Sequence, residues 1–269
     1  MKLPIYNCNG NGNSFVIISH YNCIRKSFLD VSAVKKLCRS NLKITDGLVV
    51  INIKSDNIYI DYFNNDGSWE TLCLNGLRCA SLILSKINHS KIINLICNDK
   101  IYKTKVLENN MILVELSKPV YKLENIQVNN LVGHYIDVGA KHFVIPYDCD
   151  WPSYNKIKKI AQSIRYNKEI FPNGINVNFY KVINSGIIEV KTYEKGVENM
   201  MNSCASGSYA CAFDYSFKNS KFGKIKVIND GGDFDISFDK NYTYNTLAGK
   251  AEINSKDFID IKLIGEKWF

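Results

Sequence analysis

The chain is written twice, and that constrains its fold more than any other feature. Phe15-Val-Ile closes a Gly/Asn-rich turn, and Phe143-Val-Ile closes the turn Gly139-Ala-Lys-His142 128 residues later. The alternating stretch from Ile58 to Asn64 answers that from Ile188 to Glu194, with Asn64 and Glu194 130 apart. Finally Cys73-Leu-Asn-Gly76-Leu-Arg-Cys79-Ala80 answers Cys204-Ala-Ser-Gly207-Ser-Tyr-Ala-Cys211-Ala212, the first cysteines standing 131 apart. Three matches in one order at nearly one offset predict a duplicated domain, and 269 residues are enough for two such domains.

Local patterns repeat too. Both stretches before the cysteines alternate as half-buried strands do, and each cysteine is followed by a Gly-containing segment and an apolar run that reads as helix. Further strands are expected at 48–53, 112–116, 187–191, 224–228 and 234–238, with helices at 31–38 and 154–164. Hairpins punctuated by Asn, Asp and Gly, plus one helix behind each cysteine, predict an α+β fold of two structurally similar domains. The stretch 118–130 is the expected boundary: residues 1–120 form the N-terminal domain, 121–250 the C-terminal one, and 251–269 is a candidate to complete the first.

The net charge of +8 is carried by dispersed lysines that are not interleaved with aromatics, so no nucleic-acid partner is expected. No apolar run reaches the ~20 residues of a membrane span, and no apolar signal core follows the first lysine, so a cytoplasmic protein is expected. Nine cysteines without a CxxC pair argue for free thiols, against a disulfide framework and against a structural zinc site. Cys38, Cys79, Cys97 and Cys211 read as buried packing, whereas Cys8, inside a Gly/Asn turn, is a candidate for exposure.

Cys73 and Cys204 differ from these because each falls where a strand and turn deliver the chain into a helix. The unpaired N–H groups of a helix start stabilise a thiolate, lowering the cysteine pKa, and can hold a substrate carboxylate. Gly76 and Gly207 would keep that approach open. Inverting an α-carbon needs two proton-transfer groups on opposite sides of it, and two copies of one module can supply them. Other polar residues carry less by themselves. His142 is as consistent with structure as with function, and the four histidines form no ligand set. Glu194 and Lys195 read as solvated charges, and Asn64 to Gly67 as a turn. The Gly10-Asn-Gly-Asn13 segment lacks either nucleotide fingerprint, and no lysine sits in a pyridoxal motif. No organic cofactor and no metal are expected.

At these residues the chain resembles the diaminopimelate epimerase family. The resemblance runs over nearly the whole sequence, through Gly10-Asn-Gly-Asn13-Ser-Phe15, Asp46-Gly47, Phe63-Asn64-Asn-Asp66-Gly67-Ser68, Cys73-Leu-Asn75-Gly76-Leu-Arg78-Cys79, Gly139-Ala-Lys-His142, Phe171-Pro172-Asn-Gly-Ile-Asn176, Tyr193-Glu194-Lys195-Gly196 and Cys204-Ala-Ser-Gly207. It implies a cofactor-independent amino-acid racemase or epimerase, an isomerase with its active site in the cleft between two related domains, working as a homodimer in lysine biosynthesis. It implies Cys73 and Cys204 as the catalytic pair, His142 and Glu194 as their supporting shell, and Asn13, Asn64, Asn176, Glu194 and Lys195 as substrate contacts. Leu74, Asn75, Ala205 and Ser206 would hold the reacting carboxylate through their backbone.

The departures fall mostly at the far end of the implied pocket. Leu74 stands where the family has Gly, Cys204-Ala-Ser-Gly replaces Cys-Gly-Thr-Gly, and Ser14 replaces Asp. Residues 42–45 replace a Gly-rich approach to Asp46. Ala140, Lys141, Gly174 and Lys195 replace Asn, Pro, Arg and Arg, and one extra residue separates Glu194 from Cys204. Exchanging a bidentate guanidinium for an ammonium at 195 weakens recognition of a second carboxylate. The resemblance implies LL- or meso-diaminopimelate as the default substrate, and the altered far end makes a single-carboxylate amino acid such as histidine the alternative. A catalytically inactive amino-acid-binding relative is a third reading.

Overall fold

The structure is a computed structural model that describes residues 2–21, 30–39 and 44–260; Cys23, residues 42 and 43, and 261–269 of the expected closing segment lie outside them. The chain divides into two compact units, Met1–Val114 with Gly249–Phe269, and Glu115–Ala248.

The first unit contains β1 (Lys2–Gly10), β2 (Asn13–Tyr21), α1 (Val31–Cys38), β3 (Gly47–Lys54), β4 (Asn57–Asn64), β5 (Trp69–Glu70), α2 (Leu74–Asn88), β6 (Ile92–Cys97), β7 (Lys100–Val106) and β8 (Met111–Leu116), joined by β18 (Glu252–Asp260) from the far end of the chain. The β1–β2 hairpin closes on Asn11 (φ 54°) and Gly12 (φ 86°), the Asn-Gly pair that a tight two-residue turn with two positive φ angles favours. Strands run in the order β18-β1-β2-β3-β4-β6-β7-β8, with the β2–β3 and β4–β6 pairs parallel and the others antiparallel. The central strands are covered on both faces, which is why β2 and β3 carry nearly continuous apolar runs. Val16, Ile18, Leu48 and Val50 pack with Val34 and Leu37 of α1, which starts on an Asp30 cap bonded to the Ala33 N–H at 2.7 Å. The alternate residues face α2, whose contacts with β18, β1, β2, β3, β6 and β7 show the sheet curling round it. All of α2 from Leu74 to Leu84 is accordingly buried.

The second unit contains β9 (Val120–Val128), β10 (Leu131–Asp137), β11 (Lys141–Pro146), α3 (Tyr154–Arg165), β12 (Asn176–Asn184), β13 (Ile187–Glu194), β14 (Asn199–Met201), α4 (Ala205–Asn219), β15 (Gly223–Ile228), β16 (Phe234–Phe238) and β17 (Asn245–Lys250). Its pairing β10-β11-β12-β13-β15-β16 runs antiparallel, parallel, antiparallel, parallel, antiparallel, the same succession as β1-β2-β3-β4-β6-β7. The short β14 lies on β13 as β5 lies on β4. Ile157, Ala161 and Ile164 of α3 pack on Phe143, Ile145, Val177 and Phe179, the counterpart of the α1 core. The two units thus share one topology, and the shared offset of the cysteine motifs is a shared place in it.

The stretch 118–130, the expected boundary, carries β9 at the sheet edge beside β10, and the two units divide just before it, between Val114 and Glu115. Most of β9 is exposed, so it lacks the apolar alternation that would have marked it as a strand. It occupies the place next to β10 that β18 occupies next to β1.

Candidate active site

Each cysteine is the residue before the first turn of a 15-residue helix. Cys73 has φ −130° and ψ 98°, and Cys204 has φ −133° and ψ 108°. Their carbonyls accept the same first helical bond, from Leu77 and Ser208, each at 2.9 Å. Both helices end on a left-handed residue, His89 (φ 53°) and Ser220 (φ 49°). The extended backbone at the cap turns the sulfur back over the helix start, where the Gly76 N–H donates to Cys73 Sγ at 3.4 Å.

The glycines three residues on serve packing. A Cβ on Gly76 would stand 2.8 Å from Cγ2 of Val49, a fully buried strand residue, and one on Gly207 would collide with Asn178 Oδ1 and stand 3.1 Å from Thr192 Oγ1. Bare backbone there lets each helix approach its sheet, a reason stronger than the open approach expected from sequence.

A lowered thiol pKa, expected at both helix starts, does not hold at Cys204. Burial pushes that thiol up to about 12, the Glu194 carboxylate adding to it, while the Ser206 hydroxyl and the N–H groups of Gly207 and Ser206 pull the other way without prevailing. Cys73 is half-buried. Cys38, Cys79, Cys97 and Cys211 are buried, and so is Cys8, which β1 carries into the interior instead of the turn exposing it.

Around Cys73 a directed chain of side chains runs through buried polar groups. Arg78, wholly buried, donates from Nη2 to Asn75 Oδ1 at 2.9 Å; Asn75 Nδ2 donates to Asn13 Oδ1; and Asn13 Nδ2 donates to Asp46 Oδ2 at 3.2 Å. Asp46 Oδ2 also accepts the Ser14 N–H at 2.7 Å. The chain links a guanidinium to a carboxylate through two amides, so every donor points the same way. It also draws both polar ends of Asn13 and Asn75 into holding the start of α2. Burial lowers Arg78 only to about 10, so it stays charged. Asn64 donates to Ser68 Oγ at 3.0 Å, while its own Oδ1 is buried with no hydrogen-bond partner among the described residues.

Around Cys204 a second chain forms. Thr192 Oγ1 bonds Asn178 Oδ1 at 2.9 Å, Asn178 Nδ2 bonds His142 Nδ1 at 3.0 Å, His142 Nε2 bonds Ser206 Oγ at 3.0 Å, and Ser206 Oγ lies 3.5 Å from Cys204 Sγ. Burial lowers His142 to about 4, keeping it neutral. Asn176 ties two turns together, donating to the Lys141 carbonyl at 3.0 Å and accepting the Lys195 N–H at 2.8 Å. Gly174 (φ 65°) leaves room for the Arg165 guanidinium, which is held by Glu198 at 2.6 Å. Leu74 and Ala205 are buried first residues of their helices.

Sequence reading assigned no role to Asn178, Thr192 or Arg78. The signal for Asn178 was a polar residue between Val177 and Phe179 in a run that is otherwise core, where an amide persists only if it is bonded. Among the described residues no group of three or more His, Cys, Asp or Glu side chains could hold a metal, and no helix is long and apolar enough to cross a membrane.

No family model matches the chain. A hydroxyproline epimerase from Agrobacterium vitis, solved with bound trans-4-hydroxy-L-proline, is similar in structure with a TM-score of 0.77 at 8% identity, covering 99% of this chain and 96% of that one. A phenazine biosynthesis protein of the PhzF family from Enterococcus faecalis has a TM-score of 0.70 at 11% identity, covering 97% and 100%. These likenesses establish the fold, the two-unit α+β architecture of such epimerases and PhzF proteins. In sequence, a diaminopimelate epimerase from Aquifex aeolicus (strain VF5) is 32% identical over 273 aligned residues, covering 93% of this chain and 95% of that protein. The chain belongs to the diaminopimelate epimerase family and is an isomerase.

Proposed function

We propose that the chain epimerises the α-carbon of diaminopimelate without a cofactor, Cys73 and Cys204 exchanging the roles of base and acid. What carries this reading is the likeness of the two cap backbones, with the Gly76 N–H bonded to Cys73 Sγ and the N–H groups of Ser206 and Gly207 bearing on Cys204. One cysteine, as thiolate, takes the α-proton; the electron pair left on carbon spreads toward the carboxylate, and the other thiol returns a proton to the opposite face. The reverse reaction exchanges the two. The N–H groups of Leu74, Asn75, Ala205 and Ser206 are suited to the carboxylate as its charge grows. The buried Oδ1 of Asn64 supports a ligand N–H donor at that position. His142 and Glu194 surround Cys204 in keeping with a supporting role.

One observation favours a single-carboxylate substrate. Gly174 carries no side chain, the Arg165 guanidinium beside it is already paired with Glu198, and Lys195 offers a point charge. The test is incubation of single amino acids, including the diaminopimelate stereoisomers and histidine, with pyridoxal- and metal-free protein in D₂O. Deuterium should enter the α-carbon of diaminopimelate with inversion, and Cys73→Ala and Cys204→Ala should each abolish both. Exchange of histidine alone would move the substrate to the second reading. Exchange with no amino acid would overturn the catalytic reading in favour of a binding protein.

A further inference from the structure

We propose that Ser206 is a positioning residue that holds its hydroxyl proton on the Cys204 sulfur, and that the buried Thr192–Asn178–His142 chain fixes this direction. The inference rests on the reading of Cys204 as an acid–base group. It follows from which atoms can donate. Besides His142, Asn178 Nδ2 faces the carbonyl oxygens of Phe143 at 3.3 Å and Asn176 at 3.4 Å. Carbonyls only accept, so the amide nitrogen lies on that side and the amide oxygen faces Thr192. His142 Nδ1, receiving an N–H from Asn178, must be the unprotonated nitrogen. The single ring proton of the neutral imidazole is then on Nε2, which donates to Ser206 Oγ. With that lone pair occupied, the Ser206 hydroxyl is free to donate onward, and Cys204 Sγ stands within sulfur hydrogen-bond range.

The consequence is a donor that favours the thiolate at a cysteine whose burial opposes it. Thr192, Asn178 and His142 are each at most 2% exposed, so water does not compete to reverse the chain. Glu194 at the end of β13 opposes the thiolate; Ser206 and the N–H groups of Gly207 and Ser206 on α4 favour it; Cys211 lies about two turns further along the same helix. Asp137 acts on His142. In the first unit Cys73 takes a side-chain bond from the Gly76 N–H.

Two measurements test this without reference to turnover. In ¹⁵N-histidine-labelled protein, the His142 ring, assigned by its loss in His142→Gln, should show the Nε2–H tautomer in two-bond ¹H–¹⁵N correlations; the Nδ1–H tautomer would overturn the proposal. Second, the rate of Cys204 alkylation by iodoacetamide at pH 8.5, normalised to Cys73 by peptide mass spectrometry, should fall about tenfold in Ser206→Ala, a bond to a charged group being worth at least one pKa unit. Ser206→Thr should restore it to within about twofold. An unchanged ratio in Ser206→Ala would overturn the proposal, and should that variant not fold, the tautomer of the parent protein decides alone. Loss of the acid–base reading would appear in the D₂O experiment and leave both of these signals intact.

Discussion

Gly207→Ala is the substitution whose cost the structure defines most closely. The added methyl would collide with Asn178 Oδ1 and stand 3.1 Å from Thr192 Oγ1 and 3.2 Å from Asn178 Cγ. Asn178 cannot swing away cheaply, because its amide is committed to Thr192, His142 and two carbonyls inside the second unit. Forcing a methyl into a filled core costs about 1–3 kcal/mol, and loss of the Thr192 bond about 0.5–1.5 kcal/mol more. Replacing a helical glycine returns up to about 1 kcal/mol. The net expectation is about 2 kcal/mol of destabilisation. Gly76→Ala is the matched control, since its methyl meets Val49 Cγ2 at 2.8 Å, Cys73 Sγ at 3.5 Å and Phe15 Cε1 at 3.7 Å and collides with no hydrogen-bonded amide, for about 1 kcal/mol. Urea unfolding followed by far-UV circular dichroism measures both. A Gly207→Ala protein as stable as its parent, or more stable than Gly76→Ala, would refute the claim that this glycine is required by the Asn178 network.

Gly174→Ala combines a left-handed φ of 65° with a collision against the Arg165 guanidinium, and should cost about 1–3 kcal/mol. Gly223→Ala, at φ 83° with open space around it, reports the backbone strain alone, so equal losses in the two would dismiss the Arg165 contact. His142 supplies a pH dependence. Its folded pKa is lowered to about 4 from 6.5 by burial, so between those values the unfolded chain takes up a proton that the folded one does not. Its contribution, up to about 3 kcal/mol, is complete above pH ~6.5 and is lost as the pH falls toward ~4. The urea midpoint should therefore fall more steeply over that range in the parent than in His142→Gln, and parallel pH profiles would show that His142 titrates normally.

Repeated motifs at one offset were enough to define the duplication and the two strand-to-helix junctions, and periodicity the helices expected at 31–38 and 154–164, because these depend on apolar residues recurring at fixed spacing. Cys73 and Cys204 were legible because duplication puts them at one place in two equal modules. The exposed edge strand β9 was not legible, since nothing in its own residues marks the neighbour it pairs with. Nor were the partners of polar groups. Asn178 meets Thr192 and His142 across separations of 14 and 36 residues, and Arg78 reaches Asp46 only through Asn75 and Asn13. Hydrophobic burial follows composition and spacing, whereas a hydrogen bond needs two particular atoms about 3 Å apart, and only the folded chain sets that distance.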